Sequence, residues 1–187
     1  MKKCVLVPDS FKGTLASKEV CARMASAIQR FFPEAAVISL PVADGGEGTV
    51  DAFLSALPGG EKVCCTVSGP FGSPVESFYG RIGSTAVVEM AAAAGLPLAK
   101  TPNPEEATTY GVGELISHAL ENGAEKIILG LGGSATNDGG CGAAAALGAK
   151  FYHANGQAFV PVGKTLQEIE KIDLSALKKR LEGVEMV

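Results

Sequence analysis

The chain has no tryptophan and only 6% aromatic residues among its 187, and its formal charge of −4 contains no basic run. Nucleic-acid binding needs a cationic footprint, so that class is excluded and a small molecule is the expected partner. Histidine is nearly absent. His118 and His153, the two in the chain, lack zinc-ligand spacing, and no Ser-His-Asp order can be argued on them; packing or surface roles are expected. The cysteines, Cys4, Cys21, Cys64, Cys65 and Cys141, form no CxxC pair, and the adjacent Cys64 and Cys65 would point to opposite faces of a strand. A reduced, cytoplasmic setting is expected. No apolar run is long enough to span a bilayer, and the opening MKKCVLV is cut short by Pro8 and Asp9, too early for a signal peptide. No membrane partner is expected.

Glycine, by contrast, is abundant, with 24 residues beside 10 prolines and 47% hydrophobic residues. That composition is globular, and the length suits one domain or two. CVLV (Cys4 to Val7) is a continuous apolar run, as expected of a parallel strand covered on both faces. A helix follows, with Ser17 as candidate N-cap and Val20, Met24, Ile28 and Phe31 at helical spacing before Pro33. AVISLPV (Ala36 to Val42) predicts a second strand, and Val50, Phe53, Leu54 and Leu57 share one face of a second helix. Strand, polar glycine loop and helix thus occur twice.

From Glu61 to Met90, the segments KVCCTV, PVESFYGRI and STAVVEM read as short strands of an antiparallel insertion. Helical spacing returns in TTYGVGELISHALENG, capped by Thr108 or Thr109 and closed by Gly123, before the strand KIILGL and a small-residue helix in GGCGAAAALGA. The tail reads as FYHANGQAF turning at Asn155-Gly156, a short helix near Thr165 to Lys171, and VEMV as the start of a strand. That apolar terminus suggests a fragment of a longer protein, with a short edge strand as the alternative. Residues 1–60 are expected to begin one α/β domain and 61–187 to form a second.

Three apolar strands end in loops that carry chemistry: Asp9, Ser10 and Lys12; Asp44, Gly45, Gly46, Glu47, Gly48 and Thr49; and GLGGSATNDGG, Gly130 to Gly140. In open α/β sheets ligands bind beyond the carboxyl ends of strands, so the three loops are expected to meet on one edge. Glycines let backbone amides approach a ligand, and a helix N-terminus adds unpaired donors, so phosphate is the expected guest. Asp44, Glu47 and Asp138 would repel phosphate unless a cation intervened, which points to Mg²⁺, with Lys12 taking remaining phosphate charge. Capping and turn formation are the alternative roles of these carboxylates.

Two nucleotide motifs fail. Gly130-x-Gly132-x-x-Ala135 matches the dinucleotide fingerprint, but Asn137 to Gly140 delays the helix and no acidic residue ends the next strand. Gly163-Lys164-Thr165 lacks the glycine a Walker loop needs, Ala158 standing in its place.

Together, VPDSFKGTLAS, PVADGGEGTVDAF, TTYGVGELI and GLGGSATNDGG resemble the glycerate kinase family, in order and along essentially the whole chain. The resemblance implies ATP and Mg²⁺ as cofactors, phosphorylation of D-glycerate to 2-phosphoglycerate, and an α/β fold in which a Rossmann or flavodoxin-like parallel sheet carries a second, inserted α/β domain. Family members are about twice as long, with further glycine-rich and acidic motifs in the second half. The resemblance therefore implies that this chain carries about half of the enzyme, its partner being a C-terminal fragment of the same protein or another copy of the chain.

On that footing Lys12 and the amides of the 130–140 loop, Gly132 and Gly133 among them, would hold phosphate. Asp44 or Asp138 would lie close to Mg²⁺ while the other activates the glycerate hydroxyl. Ser10, Ser134, Thr136 and Asn137 are candidate ligands to substrate or phosphate, and Lys12 or Arg81 a candidate cation for the glycerate carboxylate. A non-catalytic phosphometabolite-binding domain and an NAD-linked oxidoreductase are the competing readings.

Overall fold

The computed structural model describes residues 3–11 and 14–187. Strand β1 (Lys3–Leu6) leads to helix α1 (Ser17–Phe31), β2 (Ala36–Ser39) and α2 (Thr49–Ala56). An antiparallel meander follows, β3 (Glu61–Ser68), β4 (Pro74–Ile82) and β5 (Thr85–Glu89), then α3 (Met90–Ala94), α4 (Tyr110–Glu121), β6 (Lys126–Gly130) and α5 (Cys141–Ala146). The chain ends with β7 (Lys150–Tyr152), β8 (Ala158–Phe159), β9 (Lys171–Asp173), α6 (Ser175–Arg180) and β10 (Glu185–Met186).

The two early strands pair in parallel as a sheet of their own, with α1 as the crossover. Leu6 turns under α1 and is buried, while Val5, Val7, Ile38 and Leu40 occupy the opposite face and are exposed. Ser17 begins α1 as expected, but Ala16 is the N-cap residue; Ala16 N–H donates to Glu19 Oε2, and the Ser17 hydroxyl donates to Pro8 O at 2.6 Å. Of the apolar stripe on α1, Val20 is buried whereas Met24 and Phe31 stay open to solvent.

The larger sheet has the order β10-β6-β5-β4-β3. Its antiparallel part is the meander expected from residues 61–90, and β5, β6 and β10 run parallel. Alternation along β5 sorts its side chains. Ala86 and Val88 join Tyr79, Val112, Leu115, Ile116 and Ile127 in the core, where each fully buried large aliphatic stabilises by about 1.5–3 kcal/mol. Val87 and Glu89 face the other way, toward α2. Val87 lies across from Gly80, and a Cβ placed on Gly80 would come 3.1 Å from Val50 of α2. Helix α2 thus packs on β4 and β5, across the division expected at residue 60.

The tail departs from expectation in its short elements. The helix expected near 165–171 is a 3-10 turn, Gly163–Glu168, and β9 pairs with β7, whose other neighbour β8 returns through Asn155-Gly156. VEMV supplies β10, hydrogen-bonded beside β6. Among the described residues no helix is long and apolar enough to cross a membrane.

Candidate active site

The strand-end loops come from two different sheets rather than one edge, yet they converge. Ser17 ties the first two together: its oxygen donates to Pro8 O and accepts the Val42 amide at 3.1 Å. The second and third touch backbone to backbone. Gly132 N–H donates to Gly45 O at 2.9 Å, and a Cβ on Gly130 would lie 2.5 Å from that oxygen, while one on Gly132 would lie 2.7 Å from Gly46 N. Neither position has room for a side chain, whereas Gly139 and Gly140 take left-handed backbone angles in open space.

Within the 44–49 loop, Asp44 Oδ1 accepts the Gly46 amide at 3.0 Å and Thr49 Oγ1 donates to Gly46 O at 2.7 Å, fixing the turn into α2. Asp44 and Glu47 are exposed and Thr49 is buried. Asp9 accepts the Ser10 amide at 2.7 Å. A cavity of about 460 Å³ opens between α1, α2 and these loops, with Ser10, Ser17, Glu47 and Gly48 in its wall. Its described charged lining is Lys18 against Glu19, Glu47 and Asp51. Lys12, the cation expected from the sequence, lies outside the described residues.

In the third loop Ser134 Oγ and Thr136 Oγ1 are 2.7 Å apart and Ser134 Oγ accepts the Thr136 amide. The loop is pinned from behind, since Ala135 N–H donates to Ala94 O and Leu96 N–H to Gly133 O. Asn137 is exposed. Asp138 is not: it is 1% exposed. Its Oδ2 accepts from Thr109 N at 2.8 Å, Thr109 Oγ1 at 2.9 Å and Gly142 N at 3.1 Å, and its Oδ1 accepts from Gly140 N at 3.0 Å. The donors crowd Oδ2, while Oδ1 takes only the Gly140 amide among the described contacts. Thr109 Oγ1 in turn accepts the Ala143 amide, so one buried carboxylate joins the starts of α4 and α5. Burial pushes the adjacent Cys141 thiol up, and Asp138 adds to that, so no thiolate is prepared there.

Arg81 does not join the loops. It sits at the hairpin end of β4, its Nε donating to Gly83 O at 3.3 Å, while the loops lie beyond the far end of β5. His118 approaches Tyr79 OH through Nδ1 at 3.2 Å, and His153 stacks on Phe159. Sequence reasoning did not single out Glu89, which is 2% exposed and accepts the Val50 amide at 2.7 Å at the start of α2. The available signal was a carboxylate closing the otherwise apolar strand AVVE.

No group of three or more His, Cys, Asp or Glu side chains suited to a metal is present among the described residues. Mg²⁺ commonly needs only one or two carboxylates together with phosphate oxygens and water. The exposed acids of the 44–49 loop beside a largely acidic cavity fit that kind of donor set.

A profile of the glycerate kinase family matches residues 4–187. The chain is 46% identical over 188 residues to a glycerate kinase of Bacillus cereus, covering 98% of this chain and 49% of that one. It is 47% identical over 184 residues to the glycerate 2-kinase of Escherichia coli, covering 96% and 48%. A crystal structure of a protein assigned as glycerate kinase 2 from Salmonella typhimurium LT2 superposes with a TM-score of 0.82 at 43% identity, over 99% of this chain and 50% of that one. The chain spans about half the length of the curated relatives it matches. On these matches, it belongs to the glycerate kinase family.

Proposed function

We propose that the chain carries about half of an ATP-dependent, Mg²⁺-requiring kinase that converts D-glycerate to 2-phosphoglycerate. The observation that supports this most directly is the backbone junction of the 44–49 and 130–140 loops beside an acid-lined cavity. Phosphoryl transfer asks a protein for positioning and charge stabilisation more than for covalent chemistry. Amides of Gly132, Gly133 and the following turn serve as phosphate donors, with Lys12 adding charge. Ser10, Ser134, Thr136 and Asn137 contact phosphate or the glycerate hydroxyls. Bound Mg²⁺ would neutralise charge on the transferring group.

Of the two carboxylates considered for base and metal ligand, Asp44 suits either role because it is exposed at the loop junction. Asp138, buried and bonded to Thr109, Gly140 and Gly142, acts by holding the loop. As base, Asp44 accepts the glycerate hydroxyl proton while that oxygen bonds to the γ-phosphorus and the bridging oxygen departs with ADP.

The domain reading belongs to the same proposal: residues 1–60 contribute to a parallel-sheet domain and 61–187 form a second α/β domain inserted into it. The open apolar face of β1 and β2 supports it, since parallel sheets are normally covered on both faces. Further polypeptide, in one chain or as a separate fragment, covers that face, and the assembled enzyme works in the cytoplasm.

The test is turnover of ATP and D-glycerate by the full-length protein. Asp44→Asn and Lys12→Ala are expected to lower kcat/KM by about 10²-fold or more; wild-type rates in both would remove the site assignment. Binding of glycerate or ATP without turnover would favour the non-catalytic binding domain.

A further inference from the structure

We propose that Glu89 is a positioning residue for the pair of glycine loops: from the last place in β5 its buried side chain holds the start of α2, and so fixes where Gly45 and Gly46 meet Gly130 and Gly132. The proposal rests on the kinase reading only in taking that loop pair as the phosphate-handling wall.

Glu89 grips one loop and is laddered to the other. Its Oε1 accepts the Val50 amide at 2.7 Å, and the nearby Gly48 amide favours its charged form. These are first-turn groups that a helix leaves without partners of its own. The N-cap residue is Gly48, at φ +90°, which has no side chain with which to cap. The acceptor therefore comes from 39 residues away. On the backbone side, Glu89 pairs across the sheet with Gly130, the residue pressed against Gly45 O. Strand, side chain and both loops form one connected strut.

Glu89 and Asp138 are the buried carboxylates among the described residues. Burial pushes the Glu89 carboxyl up; the Val50 and Gly48 amides pull it down, Asp51 of α2 pushes it up and Lys62 of β3 pulls it down. An apolar side chain of the same size would fill the space without that desolvation. A carboxylate at this place is explained by the amides it must hold.

The experiment replaces Glu89 in the full-length protein with Met, which removes the acceptor, or, should the Met variant fail to fold, with Gln, which keeps one accepting oxygen and should show the same pattern more weakly. Amide hydrogen exchange is followed in residues 44–50 and 130–134, and KM is measured for ATP and D-glycerate. We expect exchange to accelerate about tenfold in both loops together, with the β3–β4 hairpin unchanged, and at least one KM to rise about five- to tenfold while kcat changes less. Acceleration spread uniformly over the sheet, or confined to 44–50 with wild-type KM, would overturn the proposal. Should the wild-type protein turn over no glycerate, the kinase reading fails on its own, and the paired exchange result still decides the role of Glu89.

Discussion

Gly48 at the head of α2 and Gly140 at the head of α5 both take left-handed backbone angles, φ +90° and +77°, and each helix receives a buried carboxylate. The carboxylates differ in origin. In the 130–140 loop it is the loop's own Asp138, two residues before the N-cap, bonded by donors from that loop, from α5 and from Thr109. In the 44–49 loop the local acids Asp44 and Glu47 stay exposed, and the cap arrives from Glu89 on another strand. A loop capped from within uses its acid for structure. One capped from outside keeps its own acids at the surface, where a cation or substrate can reach them, even though Asp44 also accepts the Gly46 amide.

The largest effect that could break this comparison is separation of the loops. Gly130→Ala or Gly132→Ala would drive a Cβ into the backbone at Gly45 or Gly46, and since backbone cannot swing aside as a side chain can, a loss of about 3 kcal/mol or more is expected in denaturant unfolding. Gly139→Ala is the control. It has φ +60° with nothing within 4 Å of a new Cβ, so left-handed strain alone should cost about 1 kcal/mol. Equal losses at Gly130 and Gly139 would show that the loops do not depend on the close approach.

Next in size is Asp138→Ala, which strands the Thr109, Gly140 and Gly142 donors in a buried place. About 2–4 kcal/mol of stability should go, with water meeting part of the loss. Asp138→Asn should lose less, because the amide keeps one accepting oxygen. A change under about 0.5 kcal/mol for the alanine variant, as at an ordinary surface position, would contradict the picture of an internal cap.

These two carboxylates also mark how far the sequence could be read. The meander β3 to β5 was legible because apolar and polar residues alternate between turn residues over 61–90. Asp138 was singled out from its place after a strand in a glycine loop, but as a metal ligand or base, with capping as the alternative role. Its partner was not legible: Thr109 lies 29 residues upstream, and local pattern carries no information on which helix start packs beside which loop. Glu89 was hidden for the same reason, its partner Val50 belonging to a helix that packs on β4 and β5, close over Gly80. Short elements such as β9 and α6, three and six residues long, hold too few residues to show a period. The stripe on α1 was legible as helix, but burial of Met24 and Phe31 did not follow.

A smaller effect concerns pH. Burial holds the Glu89 carboxyl above its ordinary value, so folding takes up a proton in the window between the unfolded and folded values. The stability that Glu89 contributes is complete below the ordinary glutamate range and declines as pH rises through the raised value. Glu89→Gln cannot titrate. Unfolding free energies of wild type and variant, compared from about pH 4 to pH 8, should differ in favour of wild type most at the acid end and less as pH rises. A gap constant with pH would mean that Glu89 does not ionise differently on folding.

The smallest effect sharpens the assignment to the externally capped loop. Asp51 and Lys62 form an ion pair at 2.6 Å, with Asp51 67% exposed, and such a pair contributes about 0–1 kcal/mol in itself. Its two members act on Glu89 in opposite directions, Asp51 raising and Lys62 lowering the carboxyl. Asp51→Asn should therefore bring the window of pH-dependent stability down toward the ordinary glutamate range, and Lys62→Met should move it up. The sign reverses between two neighbouring surface substitutions, which a general change in stability cannot mimic. Neither substitution should alter hydrogen exchange around Asp138, whose donors come from Thr109, Gly140 and Gly142. A shift of the window in the same direction for both variants would show that the titrating group is not the carboxylate beneath α2.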